Sequence, residues 1–138
     1  MRKILLLSVL FIFACSSGQD EVTVPVYPGC KKKASNFKKR KCMSSAISEF
    51  VVRKFDTDIA KDLGLSGKQR IAVIFKIDKN GNAVGVRSRA SHPKLEKEAA
   101  RVINMLPRMI PGTVNGQPVI VPYSLPITFQ VAPSAATK

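Results

Sequence analysis

Residues 119–131 constrain this chain more than any other stretch. Every odd position there is apolar (Val119, Val121, Tyr123, Leu125, Ile127, Phe129, Val131), and Pro118, Pro122 and Pro126 all fall on even positions. Strict alternation is the period of a β-strand with one buried face. Successive backbone N–H groups along a strand point to opposite edges, so the three missing donors share one edge. A central strand cannot lose that many ladder bonds, which makes this an edge strand paired through its odd-numbered residues. The prolines blunt the outer edge as far as Pro126. Thr128 and Gln130 keep their donors, so a strand-adding partner is expected at the C-terminal end.

An edge strand needs a sheet, and the sheet needs a cover. Ile71, Val73, Phe75 and Ile77 alternate along Arg70–Ile77, Asp78–Asn82 reads as a turn, and Ala83–Ser88 returns as the second strand of a hairpin. The turn has the look of a calcium loop but lacks its chemistry: Ala83 stands where the loop's glycine belongs and Arg89 where its bidentate glutamate belongs. Met43, Ile47, Val51, Phe55, Ile59 and Leu63 recur at steps of four, the stripe of a helical surface. Asp56-Thr57-Asp58 divides that stripe into a long helix and a short one, and Gly64 and Gly67 stop it. Ser91-His92-Pro93 opens a further helix, with Leu95, Ala99, Val102, Ile103 and Leu106 inward and Lys94, Glu96, Lys97, Glu98 and Arg101 facing water. The predicted fold is α+β: a helical segment, then β-β-α-β, with an antiparallel sheet ending in the edge strand.

The N-terminus sets the compartment. Met1-Arg2-Lys3, an apolar run from Ile4 to Ala14 and the small residues after it have the form of a secretory signal peptide. A bilayer-spanning helix takes about 20 apolar residues, more than this run has. Ile12-Phe13-Ala14-Cys15 resembles a bacterial lipobox, in which Cys15 becomes the lipidated first residue. Cleavage after Ser16, giving a soluble protein, is the alternative. The expected organisation is a signal peptide at 1–14, a tether at 15–23, a domain at 24–131 and a frayed tail at 132–138. Export implies an oxidising compartment, and there Cys30 and Cys42 are expected to form a disulfide closing a short loop.

Between those cysteines lie Lys31, Lys32, Lys33, Lys38, Lys39, Arg40 and Lys41. The chain carries 23 Lys+Arg against 9 Asp+Glu over 138 residues, yet 45% of it is hydrophobic, which excludes a disordered polycation. The basic run reads as a solvated, stapled loop, or as a surface for anionic headgroups or an acidic partner. Nucleic acid is not expected, since only Phe37 could stack within the run. The single histidine, His92, has no patterned partner, and no metal site, cofactor loop or catalytic pair emerges from the spacing. The chain does not read as an enzyme.

Taken together, Val26-Tyr27-Pro28-Gly29, Phe75-Lys76-Ile77-Asp78-Lys79-Asn80-Gly81, Pro111-Gly112, Gly116-Gln117-Pro118-Val119 and Tyr123-Ser124-Leu125-Pro126-Ile127-Thr128-Phe129 resemble the C-terminal domain of TonB proteins in the form found in Bacteroidetes. The Cys30/Cys42 pair and the segment 42–65 are similar to a flavobacterial-type subgroup. The resemblance implies a periplasmic domain, and the lipobox-like sequence implies that lipid on Cys15 holds it at the outer or inner membrane. It also implies a partner: an outer-membrane receptor whose TonB box adds to the last strand, here at Thr128, Phe129, Gln130 and Val131, with the family's Tyr-Pro element at Tyr27 and Pro28. The family's energy role needs a membrane-spanning helix coupled to ExbB–ExbD and a long reach across the periplasm, and residues 1–23 resemble neither. Three readings stay open: a receptor-binding lipoprotein, an energy transducer anchored by other means, and an envelope protein that self-associates through its strand edge.

Overall fold

The computed structural model describes residues 18–133, so the expected signal peptide at 1–14, Cys15 and residues 134–138 lie outside the described residues. In chain order the elements are β1 (Val22–Thr23), α1 (Asn36–Lys54), α2 (Asp58–Asp62), β2 (Gly67–Ile77), β3 (Ala83–Arg89), α3 (Pro93–Asn104), β4 (Thr113–Val114), β5 (Gln117–Pro118) and β6 (Val121–Val131). The main sheet is antiparallel with strand order β3-β2-β6, so β6 is an edge strand as its prolines predict. The architecture is α+β.

Alternation along β2 buries Ile71, Val73, Phe75 and Ile77 against the helices and leaves the even residues on the opposite, open face. α1 supplies Met43, Ile47 and Val51 to that core, and α3 supplies Leu95, Ala99, Val102 and Ile103. Each of these side chains larger than Ala99 contributes about 1.5–3 kcal/mol on burial. His92 caps α3, its Nδ1 accepting from the Lys94 backbone N–H at 3.1 Å. Asp78 organises the hairpin turn, its Oδ1 accepting from the N–H groups of Asn80 and Asn82. Gly81, at φ +86°, lies so close to the Met109 carbonyl that a Cβ would sit 1.7 Å from its oxygen. Only glycine lets the hairpin tip grip the loop after α3, and the Met109 N–H donates to the Gly81 carbonyl at 2.8 Å.

Four expectations need correction. The basic run is not all loop: α1 starts at Asn36, so Lys38 to Lys41 are helical. Ser35 caps that start, and Asn36 ties it down by donating to the Val22 carbonyl and accepting from the Val24 N–H. Lys39 then lies one step of four before Met43 and continues the inward stripe, only 9% exposed, its stem packed as long cationic side chains allow. Glu98 does not face water. It is 7% exposed, accepts from the Asp56 backbone N–H at 3.0 Å and pairs with Arg101, which also donates to the Lys54 carbonyl. These bonds tie the α1–α2 junction to α3.

The last strand is also shorter than its alternation suggests. Pro118 belongs to β5, which pairs with β4 through a turn with Asn115 at φ 51° and Gly116 at φ 78°, and β1 completes this small second sheet. The chain breaks between the sheets at Val119 and Ile120, where the Val119 N–H donates to the Gly112 carbonyl.

Cys30 and Cys42 are bonded to each other, with Cα atoms 6.0 Å apart, stapling the loop before α1 to its second turn. Replacing Cys30 with Ser is expected to lower stability by about 2–5 kcal/mol, measured by urea unfolding under oxidising conditions. An unchanged midpoint would contradict a structural role. For Glu98, hydrogen bonds from Arg101 and then from the Asp56 N–H outweigh burial and hold its pKa below the ordinary 4.5. A lowered folded value stabilises the native state above the unfolded value, and that stabilisation disappears as pH falls through the folded one. Glu98→Gln should therefore be less stable than wild type at neutral pH, with the gap narrowing in acid below pH 4.5. A gap of equal size at both pH values would contradict the ion pair.

Candidate functional site

β2 and β6 pair over eleven residues without a slip, from Gly67 opposite Val131 to Ile77 opposite Val121. Parity is therefore kept along the whole strand. Pro122 and Pro126 have no N–H to give β2, so the even residues of β6 turn their backbone polar groups to the outside. Read along that outer edge, Pro122 offers nothing, Ser124 stands alone between prolines, Pro126 offers nothing, and Thr128 and Gln130 follow as two consecutive donors. All five side chains are exposed.

α1 runs beside this edge. Ser44 and Tyr123 share a hydroxyl hydrogen bond, and farther along the Phe55 and Phe129 rings lie with centroids 5.2 Å apart. Between these contacts a groove of about 220 Å³ opens between helix and strand, lined by Ser48, Val51 and Val52 and by residues 125–128. Val52 is 80% exposed on its rim. Its position, nine residues after Met43, takes it off the apolar stripe, so the step-of-four pattern gives no reason to notice it. An extended segment laid along Thr128 and Gln130 would have main-chain donors on one side and an aliphatic seat beside it.

Phe129 and Val131 face inward. Phe129 is half-buried against Phe55, and Val131 belongs to the core. They shape the edge rather than present side chains on it. Tyr27 and Pro28 do not join them. Tyr27 is a core residue whose phenol burial pushes up, against the pull of Arg53. With Pro28 it lines a separate depression against Cys42, Ser45 and Glu49, across α1 from the groove that Ser48 and Val52 line.

The open face of the sheet was not singled out by the sequence reading. Lys68, Arg70 and Lys76 on β2 share it with Arg87 and Arg89 on β3, because Ile74 stands opposite Arg87 and Ala72 opposite Arg89. No acidic residue lies on β2, β3 or β6. The signal was available in the sequence, since these cations alternate with the buried positions, but it emerges only once the hairpin register is known.

Among the described residues no helix is long and apolar enough to cross a membrane, and no cluster of three or more His, Cys, Asp or Glu is placed to hold a metal ion. No curated protein and no solved structure matches the chain. A family model described as Gram-negative bacterial TonB protein C-terminal matches residues 58–131, from α2 to the end of β6. With that match covering more than half of its length and running through the three-stranded sheet, the chain belongs to the TonB C-terminal family, whose members are non-enzymatic periplasmic domains of TonB-dependent transport.

Proposed function

We propose that this chain is a binding module of TonB-dependent outer-membrane transport that takes an extended receptor segment, the TonB box, by strand addition at Thr128–Val131. The observation that supports this most is the pair of consecutive outward donors at Thr128 and Gln130, following two prolines that close the rest of the edge. A segment there gains main-chain hydrogen bonds for affinity, and its alternate side chains rest on the groove at Val52 for selectivity. Tyr27 and Pro28, on the other flank of α1, contribute to this site only if the partner continues around the helix. Lipid on Cys15 would hold the domain at its membrane through the short tether, and partner binding is the role its strand edge supports.

The test is a titration of fluorescent peptides carrying TonB boxes of receptors from the same organism. Gln130→Pro removes one outward N–H while leaving the bonds to β2 intact, and should weaken binding about tenfold with the melting temperature unchanged. Val52→Asp, on an exposed rim, should also weaken binding without loss of stability. Full affinity in both variants would contradict docking at this edge.

A further inference from the structure

At the other end of α1 from the free edge, the structure gathers an unusual surface. Lys31, Lys32 and Lys33 in the stapled turn, and Lys38, Arg40 and Lys41 in the first turns of α1, are all exposed. Two ion pairs occur among the described residues, Lys61–Asp58 and Arg101–Glu98, and neither involves these six. The first turn of α1 has no acidic residue. Cations at the start of a helix face the positive end of its dipole and repel one another, so the cluster works against the stability of the helix that carries it. Phe37 stands among them, 75% exposed. An aromatic ring held in water within a ring of cations is the composition of a surface that enters a lipid interface.

Position adds to composition. Asn36 binds the backbone at Val22 and Val24, which places Phe37 beside the point where the N-terminal segment joins the domain. Asp20, in that segment, has its carboxylate engaged by the Asn115 side chain at 2.9 Å. The Cys30–Cys42 bridge holds the turn and helix as one unit. We propose that this patch seats the domain on an anionic membrane leaflet, with Phe37 entering the interface and the six cations meeting lipid phosphates. α1 then acts as a strut. From Phe37 to Phe55 it rises about 27 Å, and Phe55 packs on Phe129 at the partner edge. Seating one end on the membrane points the free donors of β6 away from it.

The chain has no Trp, so Phe37→Trp creates a single reporter. The full chain carrying it is mixed with vesicles of equal parts phosphatidylglycerol and phosphatidylcholine, or of phosphatidylcholine alone. The expected result is a blue shift of Trp emission with the anionic vesicles only, reversed at high salt. Adding Lys31→Gln, Lys32→Gln and Lys33→Gln together should cut partitioning on the order of a hundredfold with the fold retained by circular dichroism. No shift with anionic vesicles would overturn the proposal even if the chain sediments with them, since a lipid anchor alone leaves position 37 in water. An equal shift with both vesicles would also overturn it, because the cations would then play no part. Neither result bears on peptide binding at β6.

Discussion

The domain depends on the unbroken register between β2 and β6. Eleven consecutive pairings without a bulge mean that one parity holds along both strands. That parity sends Ile71, Val73, Phe75 and Ile77 on β2 into the core together with Leu125, Ile127 and Val131 on β6. It also aligns Pro122 and Pro126 on the outside, where a missing N–H costs no ladder bond. A slip of one residue would reverse both results, exposing the core face and turning the prolines toward β2. The same alternation that builds the sheet therefore decides which donors remain free, and the free edge is a by-product of the core.

The other elements hold that sheet in place. α1 and α3 cover its inner face, and Glu98 joins them by binding both the Asp56 N–H and Arg101. The grip of Gly81 on Met109 fixes the hairpin to the loop after α3, and that loop reaches the N-terminal segment through Ile110 and Val26. The outer face of the sheet has no cover among the described residues, and the charged residues on it are all cations. The sheet face and the start of α1 thus carry cations with no acidic residue among them, while the acidic residues lie on the helices, the turns and the N-terminal segment, where other cations accompany them.

Much of this was legible before any coordinates. Alternation gave β2 and β6 their faces, proline parity identified the edge, and the step-of-four stripe located α1 and α2. Most of what was missed shares a cause: the feature depends on a neighbour that is distant in the sequence. Glu98 sits on α3 three residues after Leu95 and four before Val102, at the edge of the inward stripe, but its charge reads as solvent-facing until the α1–α2 junction supplies an N–H. Asn36 ties the start of α1 within the basic run to Val22 of β1, which offers a carbonyl, and to Val24 just beyond it, which offers an N–H. The β4–β5 hairpin was a local signal overlooked, since Asn115-Gly116 is the turn dipeptide that two-residue hairpins favour. Of the site, the donors at Thr128 and Gln130 were legible, whereas Val52 was not, because only the packing of α1 along β6 places it on the rim of the groove. Tyr27 carried a family role in the resemblance, and in the fold it is a packed core side chain.

The central claim is that Thr128 and Gln130 form the open end of a partner-binding edge. Site-specific photo-crosslinking from position 130 in native cells, with the captured segment identified by mass spectrometry, tests it most directly. The account predicts capture of a TonB-dependent receptor through the residues of its TonB box. Capture of a second copy of this chain, or of an unrelated envelope protein, would contradict it.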